Sequence, residues 1–263
     1  MIDREAIQIW HAHAPWVRWE HVEQDLVIAR AVVSIFSDPF LAKELAWRGG
    51  TALHKLYLHP QVRYSEDIDL VRTGVGPVKP IVEHLDKVLA WLPGKSFQLR
   101  RFGFRMRFRY ESEIAPVQMM HLKVEANTFE HFSELPLVRM PFVVENPWFS
   151  GKCEVTTYAL EELLGTKLRA MYQRKKLRDL FDMDYALRNA VIDDELVLRC
   201  WRQYMSFGNH IAPTKAEFIA NMDAKMQTSD YLSDIDSILR RDITFDALTA
   251  YRLVRERLID KLI

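Results

Sequence analysis

The sequence predicts an α+β protein, because a helical zone, a strand zone and a second helical zone follow one another along its 263 residues. In the first zone, apolar residues recur on one helical face over 22–36. In the second, aromatic residues alternate with arginines over 99–110. In the third, 156–263, amphipathic segments such as 245–262 return. A chain of this length can bury a substantial core.

The composition excludes several classes of protein. Lys and Arg number 36 and Asp and Glu number 36, so nucleic-acid binding would need a local basic patch. The two cysteines, Cys153 and Cys200, rule out a disulfide framework, and a reduced cytoplasmic location is expected. No apolar run approaches 18 residues and no secretory signal is visible, so no membrane span is expected.

The first zone, residues 1–58, has a helical pattern throughout. Its helix over 22–36 ends at Ser37, and a second helix is expected to follow at once. Asp38 suits the N-cap of that helix and Pro39 its first position.

The second zone contains three candidate strands, 64–71, 99–110 and 121–127, and a candidate helix over 81–92. In the segment 99–110 a period of two puts the aromatic side chains on one face and the arginines on the other. Pro141, Pro147 and Gly151 mark a boundary near residue 150. We therefore expect a domain over 1–150 and a helical domain over 151–263.

The segment 63–70 is the most informative part of the chain. If it is a strand, Arg63, Ser65, Asp67 and Asp69 share one face, since residues two apart point the same way. Two carboxylates at that spacing suit Mg²⁺, which in turn favours phosphate oxygens as further ligands. The alternative interpretation is a solvated acidic strand.

A pair of glycines lies earlier in the chain, with residues 51–62 between it and this segment. Gly49 and Gly50, followed by Thr51, precede a helical pattern, so backbone N–H groups can approach a phosphate closely there. The alternative is a tight turn that needs a positive φ.

A third carboxylate lies in the candidate strand 121–127. Glu125 shares its face with Lys123 and Asn127, and this face can abut the one that carries Asp67 and Asp69. Glu125 is then a candidate third metal-site carboxylate, and a plain surface glutamate is the alternative.

One lysine falls within an apolar helical stripe. In a helix over 158–174, Lys167 lies in the middle of the stripe, where an unpaired ammonium is costly. It must reach water along its stem, pair with a carboxylate, or meet a polyanion. Asp179 and Asp182 can orient Lys167 or an arginine, or act as a base.

Two cationic surfaces are expected in this neutral chain. One is the basic run 174–178 and the other is formed by the arginines that alternate along 99–110. Both can follow a nucleic-acid backbone, and pairing with acidic residues is the alternative.

Together these segments resemble the AbiEii/AbiGii toxin family of nucleotidyltransferases. The similarity is carried by 48–53 and 63–70, followed in order by 123–127, 161–167 and 178–182. The resemblance implies a nucleotidyltransferase core, a short mixed sheet flanked by helices, with a helical C-terminal region that completes the active site.

The resemblance also implies roles for the residues described above. Asp67 and Asp69 would hold Mg²⁺, while Gly50 and Ser65 would lie at the triphosphate of an NTP, with Gly49, Thr51 and Arg63 beside them. Lys167 would contact phosphates. Asp179 or Asp182 would serve the catalytic site.

The function implied is transfer of NMP from an NTP to an RNA acceptor, the 3′ end of tRNA, by the toxin of a toxin–antitoxin pair active in phage defence. The partner implied is an antitoxin encoded nearby. Two alternatives remain: a non-catalytic RNA- or protein-binding module of the same fold, and a metal-dependent phosphotransferase with another acceptor.

Overall fold

Residues 2–208 and 211–262 are described in the computed structural model, and they divide into two units. The first takes the described residues up to Ser133 together with Leu137–Tyr158. The second takes Glu134–Pro136 and the described residues from Ala159 onwards. The division falls after Tyr158, later than the boundary expected near residue 150, because residues 151–157 form a strand of the first unit's sheet.

Within the described residues, the first unit holds a seven-stranded mixed sheet flanked by helices, which confirms the α+β prediction. The strands are β1 Leu45–Arg48, β2 Asp67–Arg72, β3 Ser96–Arg100, β4 Gly103–Glu111, β5 Met119–Asn127, β6 Val138–Val144 and β7 Gly151–Thr157. The helices are α1 Arg4–Trp10, α2 Trp19–Phe36, α3 Pro39–Glu44, α4 Gly49–Leu56 and α5 Lys79–Val88. The strand order is β3-β4-β5-β2-β1-β7-β6, with β2 parallel to β5 and β1 parallel to β7.

Strand β2 occupies the centre of the sheet and shows the predicted two-residue alternation. Ile68 and Leu70 are buried, whereas Asp67 and Asp69 are partly exposed on the opposite face. The strand begins at Asp67, later than the predicted start at residue 64. Strand β1, in a zone predicted to be helical, is four residues long, too short for a period to reveal it.

The predicted single strand over 99–110 is wrong at its start, because the chain turns back there. Residues up to Arg100 belong to β3, and β4 begins at Gly103. A Cβ on Gly103 would lie 1.8 Å from the carbonyl oxygen of Ala126, so only glycine permits the close approach to β5. Phe102 therefore lies in the turn, 46% exposed, and not with the buried aromatics of β4.

Helix α2 anchors the N-terminal segment through a buried carboxylate. Asp25 accepts hydrogen bonds from the indole N–H of Trp10 at 2.9 Å and of Trp16 at 3.4 Å. It also pairs with the ammonium of Lys55 at 2.7 Å. Farther along, the Asp38 side chain accepts from two backbone N–H groups at the start of α3, so the predicted N-cap is confirmed.

The second unit is helical in its described residues. Its elements are α6 Leu160–Gln173, α7 Leu177–Asn189, α8 Asp194–Ser206, α9 Lys215–Met226, α10 Ser229–Leu232, α11 Ala247–Arg257 and a short 3-10 helix Ile259–Lys261. Buried Glu162 on α6 accepts from the backbone N–H groups of Glu134 and Leu135, which ties the segment 134–136 to this unit. None of the described helices is long and apolar enough to cross a membrane.

Candidate active site

The acidic residues of β2 and β5 lie on one face because these strands pair in parallel. Asp67 lies opposite Lys123, and Asp69 lies opposite Glu125. The predicted juxtaposition of Glu125 with the aspartate pair is therefore confirmed.

Among the described residues, only one of the two carboxylate oxygens of Asp67 accepts a hydrogen bond. Its Oδ2 accepts a hydrogen bond from the Lys123 ammonium at 2.7 Å. Its Oδ1 is buried and accepts no hydrogen bond from the described residues. An unsatisfied buried carboxylate oxygen is unfavourable, and it is a hard donor of the kind that Mg²⁺ prefers. The Asp67 site therefore fits a divalent cation.

Asp69 lies against the start of α4. A Cβ on Gly49 would be 2.3 Å from Oδ2 of Asp69, and Gly49 has a φ of +85°. Both the close approach and the left-handed backbone require glycine there. The positive φ bears out the tight-turn interpretation of the glycine pair, and its role at a phosphate stays a prediction.

The next residues of α4 contact the segment that precedes β2. The Thr51 hydroxyl donates to the Asp67 carbonyl oxygen at 2.6 Å and lies 2.8 Å from the Ser65 hydroxyl. A Cβ on Gly50 would lie 3.3 Å from Oγ of Ser65 and 2.5 Å from a guanidinium nitrogen of Arg63. The structure therefore gathers both motifs at one point.

The expected placement of Arg63 on an exposed strand face is wrong. Arg63 is 1% exposed and donates to the carbonyl oxygen of Tyr64, because β2 has not yet begun at this position. Its guanidinium lies beneath Gly50 and brings positive charge to the inner side of the glycine turn.

Glu125 pairs with one of the arginines that alternate along 99–110, which is the acidic pairing named above as the alternative to nucleic-acid binding. The Arg105 guanidinium on β4 forms an ion pair with Glu125. Across 2–208 and 211–262, no group of three or more His, Cys, Asp or Glu side chains is arranged to hold a metal ion. The role of Glu125 as a third metal-site carboxylate stays a prediction. Arg105 and Lys123 were signalled only by the two-residue alternation of their strands.

In the second unit, Lys167 is buried and pairs with two buried aspartates. Its ammonium lies 2.7 Å from Asp182 and 3.2 Å from Asp179. The Arg174 guanidinium binds both oxygens of Asp179 at 2.7 Å. Burial alone would raise the pKa of Asp179, but Lys167 and Arg174 outweigh burial and hold it below the ordinary value. Pairing with carboxylates, one of the three possibilities left by the sequence, is therefore confirmed, and a contact of Lys167 with phosphates stays a prediction.

The chain is similar to known proteins both in sequence and in fold. The chain matches the family described as nucleotidyl transferase AbiEii toxin, type IV TA system, over residues 30–251. MenT4, a nucleotidyltransferase toxin from Mycobacterium tuberculosis, shares the fold with a TM-score of 0.68 and 18% identity, over 100% of this chain and 91% of that one. JHP933 from Helicobacter pylori gives a TM-score of 0.51 and 18% identity, over 99% and 96%. No curated protein has a significant sequence match.

Proposed function

Because the chain belongs to the AbiEii nucleotidyltransferase toxins of type IV toxin–antitoxin systems, we propose that it transfers NMP from an NTP to an RNA acceptor, the 3′ end of tRNA. The observation that carries this proposal is the pair Asp67 and Asp69 on one face of β2, directly beside the glycine turn that begins α4.

Asp67 and Asp69 hold Mg²⁺ in this proposal, and Glu125 is the third carboxylate of the site. The unsatisfied oxygen of Asp67 supports the assignment, as does the hard character of all three donors. When bound, Mg²⁺ supplies positive charge to the NTP phosphates and favours ionisation of the acceptor hydroxyl.

The phosphates lie at the start of α4. Gly49 and Gly50 carry no side chain that would cover the backbone N–H groups, and the helix N-terminus favours an anion. The Ser65 hydroxyl completes this phosphate site, while buried Thr51 and Arg63 support it from beneath the glycine turn, Arg63 through its positive charge. The family resemblance adds Lys167 as a phosphate contact and one of Asp179 and Asp182 as a catalytic group.

In the reaction, the 3′ hydroxyl oxygen of the RNA forms a bond to the α-phosphorus of the NTP. The bond from that phosphorus to the bridging oxygen of the β-phosphate breaks, pyrophosphate leaves, and the hydroxyl proton passes to solvent. The phosphate site stabilises the charge that builds on the leaving pyrophosphate.

The proposal extends to the biological setting, and membership of a toxin–antitoxin family supports it. The protein acts in the cytoplasm as the toxin of a pair whose antitoxin is encoded nearby, and the pair serves phage defence.

The test is incubation of the purified protein with total tRNA, Mg²⁺ and each α-³²P-labelled NTP in turn. Asp67→Asn should abolish labelling. Glu66→Gln is the matched control, because Glu66 is exposed beside Asp67 and is assigned no role at the site. Labelling that survives Asp67→Asn overturns the assignment of the metal site.

Two other outcomes identify the alternative functions. RNA binding without Mg²⁺ dependence and without label from any NTP indicates a binding module. Release of label from γ-³²P-NTP as phosphate, or its transfer to another acceptor, indicates a phosphotransferase or phosphohydrolase.

A further inference from the structure

The sheet face that carries Asp67 continues across two strands to a group of arginines. Lys123, opposite Asp67 on β5, lies opposite Arg107 on β4, and His121 lies opposite Arg109. We call Arg100, Arg107 and Arg109, all exposed, the arginine face. It runs from β4 to the edge strand β3, which contributes Arg100.

The arginine face differs from its neighbours in charge pairing. Lys123 is neutralised by Asp67, and Arg105 by Glu125. The side chains of Arg100, Arg107 and Arg109 form no ion pair or hydrogen bond with any residue that the structure describes. The three like charges repel one another, and the exposed carboxylate of Glu111, next to Arg109 on the same face of β4, leaves this face with a net positive charge that favours an anionic ligand.

The geometry connects the arginine face to the candidate active site. Neighbouring strands lie about 4.8 Å apart, so Arg107 is about 10 Å from Asp67 across the sheet. Arg107 and Arg109 are about 6.8 Å apart along β4, because alternate residues of a strand share a face. A ligand with repeated negative charges can therefore extend from the arginines directly to the carboxylates.

We propose that the arginine face binds the phosphate backbone of the RNA acceptor and leads its 3′ end to Asp67 and Asp69. Binding is independent of the proposed function, but the direction of the RNA rests on it. Each planar guanidinium group can donate two parallel hydrogen bonds to one phosphate, which favours a nucleic-acid strand with its repeated phosphates. The side chains among the arginines are polar, Ser96, Gln98 and His121, whereas a protein partner would need an apolar centre.

The test measures binding of 5′-fluorescein-labelled tRNA by anisotropy at increasing KCl, in EDTA and without NTP, so that catalysis plays no part. The variant is Arg107→Gln/Arg109→Gln. The matched control is Arg4→Gln/Lys87→Gln, which removes the same charge from exposed positions on α1 and α5. Circular dichroism verifies that both variants are folded.

We expect the arginine-face variant to bind at least ten-fold more weakly than the control. Its slope of log affinity against log salt should fall by about 1.4, since each phosphate contact with single-stranded nucleic acid contributes about 0.7. Asp67→Asn should bind at least as tightly as the wild type, because it removes the negative charge that neutralises Lys123 on the same face.

Several results would overturn the proposal. One is that the wild-type protein does not bind tRNA. Another is that the two double variants lose tRNA affinity equally. A third is that polyglutamate displaces the labelled tRNA as effectively as unlabelled RNA does. Failure of the proposed function is recognised separately: arginine-dependent binding without label transfer leaves this surface assigned and removes the enzyme assignment. If the arginine-face variant transfers nucleotide with an unchanged KM for tRNA, the enzyme assignment stands and the assignment of this surface is removed.

Discussion

Oδ2 of Asp69 lies so close to Gly49 that a Cβ on that glycine would be 2.3 Å from it. The φ of +85° at Gly49 excludes a side chain for a second, independent reason. Any side chain added at the first residue of α4 therefore has to displace the second carboxylate of β2.

Gly49→Ala should reduce nucleotide transfer at least ten-fold although every proposed ligand is present. The new methyl group must displace Asp69, and the left-handed backbone adds strain of about 1–3 kcal/mol. Transfer assays and thermal unfolding of the variant measure the two effects. Gly74→Ala is the control, because nothing lies within 4 Å of a Cβ at that glycine. Full activity of Gly49→Ala would contradict the proposed contact.

Lys123→Gln should increase the stabilisation of the protein by Mg²⁺. The Lys123 ammonium occupies one oxygen of Asp67, so a cation that binds there competes with it. The variant should melt at a lower temperature than wild type in EDTA and show a larger rise in Tm when MgCl₂ is added. Thermal unfolding with and without MgCl₂ measures this rise, and an equal rise in both proteins argues against a metal ion at Asp67.

Lys167→Met should destabilise the second unit by about 3–5 kcal/mol, because it removes a cation from two buried carboxylates. Lys167→Met/Asp182→Asn should lose less than the sum of the two single changes, since a neutral pair replaces the ion pair. Urea unfolding measures these free energies. Lys175→Met, at an exposed position, is the control and should unfold like the wild type. Additive losses would show that Lys167 and Asp182 are not coupled.

The buried carboxyl of Glu23 predicts a pH dependence of stability. Burial raises the pKa of this carboxyl from 4.5 to about 7. Between these pH values the Glu23 carboxyl is ionised in the unfolded chain and protonated in the folded one. Stability contributed by this group is therefore lost as pH rises from about 4.5 to about 7. Glu23→Gln should flatten the fall of Tm over this interval. Glu5→Gln, an exposed change on α1, should leave the fall unaltered.

Sequence periods predicted the faces of the strands better than their ends. The alternation in β2 and β4 is local, since it follows from burial of one side of each strand. The hairpin before Gly103 depends on contact with Ala126, which is distant in sequence. Strands β1 and β7 acquire their conformation largely by pairing with each other and with their neighbours, and no local period marks them.

The candidate site was predictable in its residue types and only partly in its contacts. The proximity of Glu125 to the aspartates followed from shared strand faces. The pairing of Lys123 with Asp67 depends on the register of a parallel ladder, which one sequence does not define. The sequence likewise left three possibilities for Lys167. The pairing that occurs depends on Asp179 and Asp182, which lie on a separate helix.

The position of β2 in the sheet has a mechanical consequence. It is the fourth of seven strands in the order β3-β4-β5-β2-β1-β7-β6, so three strands lie on each side of it. Its amide protons should be among the slowest in the first unit to exchange with deuterium, whereas β3, with all five residues exposed, lies at an edge that opens readily. The backbone that carries the carboxylates should therefore lose little conformational entropy when a ligand binds. The sheet becomes more flexible toward Arg100 on the edge strand β3, so that end can adjust to RNA of varied shape.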